Sequence, residues 1–137
     1  MLMKEFFKEQ LTKIFISQAR AILKRHKPII VAVVGSVGKT STKLAIATVL
    51  AQKYRVRYQD GNYNVPLTVP FVIMGQQLPT LTNPVGWLRA WLQGQKYIVG
   101  SYPYDVVVLE LGTDKPGDIL DFKSFIKPDI AVVSAIS

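Results

Sequence analysis

Two groups of residues in this sequence have the types and spacing to do chemistry: Gly35-Ser36-Val37-Gly38-Lys39-Thr40-Ser41, and Glu110. In the first, two glycines free the main chain to turn with its N–H groups inward. A lysine then supplies a mobile positive charge, and hydroxyl residues follow at once. That order is a grip for nucleotide phosphates: Lys39 serves the outer phosphates and the Thr40 hydroxyl is placed to ligate Mg2+. It is the compact G-x-x-G-K-T form, because the longer pattern would need a glycine where Val33 stands. Glu110 closes the run Tyr104-Asp105-Val106-Val107-Val108-Leu109. A buried strand that delivers an acid to its carboxyl end can offer the same cation a second ligand, directly or through water.

Such a grip works only if a strand enters the loop and a helix leaves it. Ile29 to Val34 is a continuous apolar run of strand-forming residues, the pattern of a parallel strand covered on both faces. Thr40 to Gln52 carries Leu44, Ala45, Ala47, Val49, Leu50 and Ala51, which suits a helix laid closely on a sheet. Val56 to Gln59 reads as a second short strand closed by the turn Asp60-Gly61-Asn62, and Ile130 to Val133 as a further strand after Pro128-Asp129. Between Asn62 and Pro84 prolines, threonines and asparagines predict a loop and a short helix. Trp87, Leu88, Trp91 and Leu92 then form an apolar cluster at helical spacing, read as packing surface. The loop Gly112 to Asp118 lies where open α/β sheets bind ligands. Its Asp114 and Asp118 could touch metal-bound water, though Asp118 is better placed to cap a helix through Ile119 to Phe125.

Before the first strand, Lys4 to Arg25 reads as one helix, with Phe7, Leu11, Ile14, Phe15 and Ile22 at three- and four-residue steps, and Pro28 stops it. The chain therefore divides into a basic amphipathic helix over residues 1–28 and an α/β domain over 29–137: a P-loop NTPase-like parallel sheet flanked by helices in three layers.

With 137 residues, 49% of them hydrophobic, the chain can bury a core. It has no cysteine, which excludes a disulfide framework and thiolate metal sites and favours a cytoplasmic setting. The net charge is +8, and residues before Pro28 carry five of that excess: seven Lys and Arg against Glu5 and Glu9. A basic helix face that is solvated, or that lies on an anionic membrane, explains this better than nucleic acid, for which no aromatic-basic signature is present. The charges at Lys4, Lys8, Lys13 and Arg20 also break any apolar run that could span a bilayer or serve as a signal peptide. His26, the one histidine, is expected to be solvated rather than a catalytic base.

Four segments together carry a family resemblance: G-S-V-G-K-T-S-T-K at 35 to 43, G-N-Y-N at 61 to 64, L-E-L-G-T-D-K-P-G-D-I at 109 to 119, and K-P-D-I-A-V-V at 127 to 133. The chain resembles the ATP-dependent Mur ligases of peptidoglycan synthesis. Their order and spacing are most similar to the branch that adds D-alanyl-D-alanine to UDP-N-acetylmuramoyl-tripeptide. The resemblance implies an amide-forming reaction in which ATP phosphorylates a carboxylate of the UDP-linked substrate and an amino acid or dipeptide amine displaces the phosphate. By matching position, Gly38, Lys39 and Thr40 would hold ATP and metal, Glu110 would ligate Mg2+, and Asn62 and Asn64 would lie on the UDP-substrate side. The same resemblance makes this the front part of an incomplete central domain. A single helix stands in place of the N-terminal substrate domain, and the family's remaining catalytic residues and C-terminal domain would be supplied in cis or in trans. Rival readings are a folylpolyglutamate-synthase-like ligase, a hydrolytic P-loop NTPase, and a non-catalytic basic module on anionic membrane or nucleic acid.

Overall fold

In the computed structural model, residues 1–59, 65–112 and 118–136 are described. The elements alternate as the patterns require: α1 (Leu2–His26), β1 (Ile29–Val34), α2 (Lys39–Leu50), β2 (Val56–Tyr58), α3 (Val69–Met74), α4 (Pro84–Val99), β3 (Val106–Glu110), α5 (Asp118–Lys123) and β4 (Ile130–Val133). The strands form one parallel sheet in the order β2-β3-β1-β4. β1 and β3 are central, which is why they read as unbroken apolar runs: both of their faces are covered.

Side chains alternate across those strands, so each face can be read by parity. Ile30, Ala32, Val107 and Leu109 point to a thick layer made by α1, α3, α4 and the residues from Phe122 to Ile126. Val31, Val33, Val106 and Val108 point the other way, to α2. Three layers result, as expected. All six residues of α3 are buried, so the short helix anticipated between Asn62 and Pro84 is a core element.

α1 lies along α4, the two running in the same direction. Phe15 packs on Trp87 and Phe71, with ring centroids 5.7 and 4.7 Å away. One turn on, buried Gln18 Nε2 donates to the Trp91 carbonyl at 2.8 Å and to Gln95 Oε1 at 3.1 Å. This close approach needs Gly94: a Cβ there would collide with the Gln18 amide. Of the apolar stripe read from the sequence, Leu11, Phe15 and Ile22 do face the core, but Phe7 and Ile14 are exposed. At 100° per residue those two stand roughly 60–90° off the face centred on Phe15, Gln18, Ala19 and Ile22. Similarly, of the tryptophan cluster only Trp87 is buried; Leu88, Trp91 and Leu92 are exposed.

His26 departs from its expected solvation. It is half-buried, its Nε2 lies 2.7 Å from the Tyr97 carbonyl, and its ring stacks on Tyr102 at 5.5 Å. It precedes β1, about 20 Å of strand from the loop that follows β1, so it takes no part there. No helix among the described residues is long and apolar enough to cross a membrane.

Candidate nucleotide site

β1 delivers the chain into the loop at Gly35, whose φ of 134° is closed to other residues without strain. A side chain there would also strike Ser134 just past β4, because that segment is fastened to the loop. The Ser134 hydroxyl donates to the Val37 carbonyl at 2.7 Å, and the Ser36 N–H donates to the Ala135 carbonyl at 2.7 Å. Val37 N–H reaches the same carbonyl at 3.5 Å. Two of the amides expected to line the grip, those of Ser36 and Val37, are thus turned to the protein's own backbone.

The donors left for an anion are at the start of α2. Gly38 is the N-cap, with φ 78°, and the first intrahelical bond runs from Thr42 N–H to the Gly38 carbonyl at 3.0 Å. Helix geometry leaves the N–H groups of Lys39, Thr40 and Ser41 without an intrahelical acceptor, aimed along the positive end of the helix dipole. Lys39 Nζ folds back to donate to the Gly35 carbonyl at 2.8 Å, which holds the ammonium over the loop.

Parity places the acid. Glu110 shares its side of β3 with Val106 and Val108, the side that faces α2, and it pairs in register with Val33, two residues before the loop. The Thr40 hydroxyl donates to Glu110 Oε2 at 3.1 Å. The two residues assigned to one cation therefore meet. Lys43, one turn beyond Thr40 on the same side of α2, reaches the same Oε2 at 3.2 Å. Lys43 is only 1% exposed. Sequence pattern hides this third member, because the apolar residues of α2 draw the eye to other positions. Its signal was a lysine three residues after Thr40 and four before buried Ala47, on the stripe that must face the sheet.

Asn62, Asn64 and Asp114 lie outside the described residues, as does the side chain of Asp118, the first residue of α5. Among the described residues no three His, Cys, Asp or Glu side chains cluster to hold a metal. That donor set fits Mg2+ poorly on its own and well beside a nucleotide, since Mg2+ commonly takes one or two protein oxygens, waters and phosphate oxygens. A helix N-terminus, a mobile lysine, a hydroxyl and one carboxylate are the components such a complex needs.

The sequence model of the Mur ligase middle domain matches residues 33–137. This chain belongs to that family. The chain is 29% identical over 118 residues to the UDP-N-acetylmuramoyl-tripeptide--D-alanyl-D-alanine ligase of Bacillus subtilis (strain 168), an alignment covering 86% of it and 21% of that protein. With the same-named ligase of Escherichia coli (strain K12) it shares 28% over 127 residues, 92% of the chain and 23% of the relative. Among solved structures, MurF from Acinetobacter baumannii superposes with a TM-score of 0.61 at 19% identity, over 92% of this chain and 22% of the other. At that identity the shared property is the fold. The chain thus spans about a fifth of the length of the curated relatives it matches.

Proposed function

We propose that this Mur ligase domain binds ATP with Mg2+ at the loop from Gly35 to Ser41 and is the ATP-handling part of a cytoplasmic ligase of peptidoglycan synthesis. The observation that carries the reading is the meeting of the Thr40 hydroxyl with the Glu110 carboxylate, 3.1 Å apart at the mouth of the loop. The amides that open α2 hold the phosphates, Lys39 adds the mobile charge, and Thr40 and Glu110 hold the metal. When bound, ATP supplies the phosphoryl group that activates a substrate carboxylate for attack by an amine. By likeness to the relatives, that carboxylate belongs to a UDP-N-acetylmuramoyl-peptide and the amine to D-alanyl-D-alanine, with Asn62 and Asn64 on the UDP-linked side.

Calorimetric titration of Mg·ATP into the wild-type chain and Lys39→Ala tests the grip. The variant is expected to bind about tenfold more weakly or worse, the loss of a charge-assisted phosphate contact; equal affinities would reject the loop as the site. Binding of UDP-N-acetylmuramoyl-tripeptide in preference to folate, followed by ligand-observed NMR, separates this reading from a folate ligase. Preference for neither, with ATP hydrolysis intact, would indicate a plain NTPase.

A second reading concerns α1. Leu2, Phe6 and Lys13 recur at steps of four and seven on the side turned away from the core, with Met3 and Phe7 beside the first pair, while farther along Arg20 Nε donates to the Ser124 carbonyl at 3.0 Å. Leu2 is 89% and Phe6 62% exposed. Arg20, Lys24, Lys27 and Lys127 line one open groove at the other end of the helix. Apolar turns followed by cations suit a helix lying in an anionic membrane interface. Flotation with phosphatidylglycerol vesicles should recover the wild type but not Phe6→Asp, and recovery should fall with salt; equal recovery on neutral vesicles would overturn this reading.

A further inference from the structure

Lys43 stands out because the nucleotide reading does not use it. A lysine almost wholly removed from water needs a partner, and Glu110 is that partner at 3.2 Å. Lys43 and Thr40 project from one face of α2 and converge on a single oxygen, Oε2, so the carboxylate has Oε1 to offer elsewhere. Together the formal charges of Lys39, Lys43 and Glu110 come to +1 before any ligand arrives. A divalent cation entering such a site alone meets one carboxylate already matched by an ammonium, and a second ammonium held over the loop by Gly35. A triphosphate reverses that balance with several negative charges of its own.

We infer that Lys43 makes the metal site nucleotide-dependent: its ammonium fixes the Glu110 carboxylate against Thr40 and cancels the charge that would otherwise draw a free divalent ion, so metal enters only with phosphates. Lys43 is a positioning residue, acting through Glu110. The inference rests on the Mg·ATP reading above and deepens it.

The test uses Mn2+ as the probe, titrated without nucleotide and followed by the electron paramagnetic resonance of the free ion. Wild type and Lys43→Arg should take up little Mn2+. Lys43→Met should gain nucleotide-free binding by about tenfold or more, because Glu110 is then uncompensated. The double variant Lys43→Met/Glu110→Gln should lose that gain. A lysine needed only for packing or folding would not produce a gain of metal binding in its absence. Where Lys43→Met fails to fold in metal-free buffer, Mn2+ alone should restore its circular dichroism, and the double variant should fold without metal.

Tight nucleotide-free Mn2+ binding by the wild type, equal binding by wild type and Lys43→Met, or a Lys43→Met chain that stays unfolded in Mn2+ would each overturn the inference. Such results leave the nucleotide site standing if wild type still binds Mg·ATP by calorimetry. Failure of wild type to bind Mg·ATP overturns both.

Discussion

The two faces of the sheet differ in composition. On one, Phe15, Phe71, Trp87, Phe122 and Phe125 join Ile22, Ile73 and Leu109 in an aromatic core several side chains deep. On the other, a single helix covers Val31, Val33, Val106 and Val108 with Ala47 and partly buried Ile46 and Leu50, and its first turns hold a lysine and a threonine on a carboxylate. The thick face can supply most of the burial, which leaves the thin face room for polar groups at the start of α2. Tyr102 shows the contrast within the thick layer. Its phenol is buried and donates to the Ile73 carbonyl at 2.5 Å, and burial pushes its ionisation far up, so it stays a neutral structural donor.

The division is broken first by attacking the thick face. Phe71→Ala removes a fully buried ring that touches Phe15 and Trp87 and should lower unfolding free energy by about 3–5 kcal/mol in urea titrations. Affinity of the folded fraction for Mg·ATP should change little; a large loss would mean that the faces are not separable. Gly94→Ala comes next, since its methyl must displace the Gln18 amide between α1 and α4, for about 1–3 kcal/mol by the same measurement. Lys39→Ala should move stability by no more than about 0.5 kcal/mol while weakening ATP, because its ammonium bonds a loop carbonyl rather than the core.

The smallest effect concerns pH. Asp105 accepts from the Arg55 guanidinium and backbone at 2.8–3.2 Å, and these bonds hold its carboxyl below the ordinary 3.8. A depressed folded value means stability that is present above pH 3.8 and lost as pH falls through the folded value. Asp105→Asn should therefore lower Tm slightly above pH 3.8 and leave it unchanged in stronger acid, which flattens the acid limb of a Tm-against-pH curve. The pair is exposed and salt-screened, so a large effect at neutral pH would contradict this placement.

Legibility followed the same division. The central strands, the glycine-lysine loop between β1 and α2, and the place of Glu110 at the end of β3 could be read because a doubly covered strand is an unbroken apolar run and such a loop is marked by its glycine and lysine spacing. What could not be read depends on partners distant in sequence. Gln18 looks like a surface residue until α4 arrives with Gly94, and His26 looks solvated until Tyr97 and Tyr102 close on it. Leu44 and Val49 promise a packed face on α2 yet are exposed, while Lys43 beside them is buried, because its pairing with Glu110 spans 67 residues of chain. The Ala135 carbonyl takes over two loop amides, and the Ser134 hydroxyl a loop carbonyl, for the same reason.

The register of β3 against β1 has a consequence for how the site comes into being. Val33 faces Glu110 across the ladder, and a slip of one residue would swing that carboxylate through the sheet to the aromatic side. No local hairpin or isolated helix can assemble the pair with Thr40, whose partner lies 70 residues away, so a molten or half-zipped chain lacks it. If the loop binds Mg·ATP as proposed, the Thr40–Glu110 contact can serve it only once the central ladder is complete.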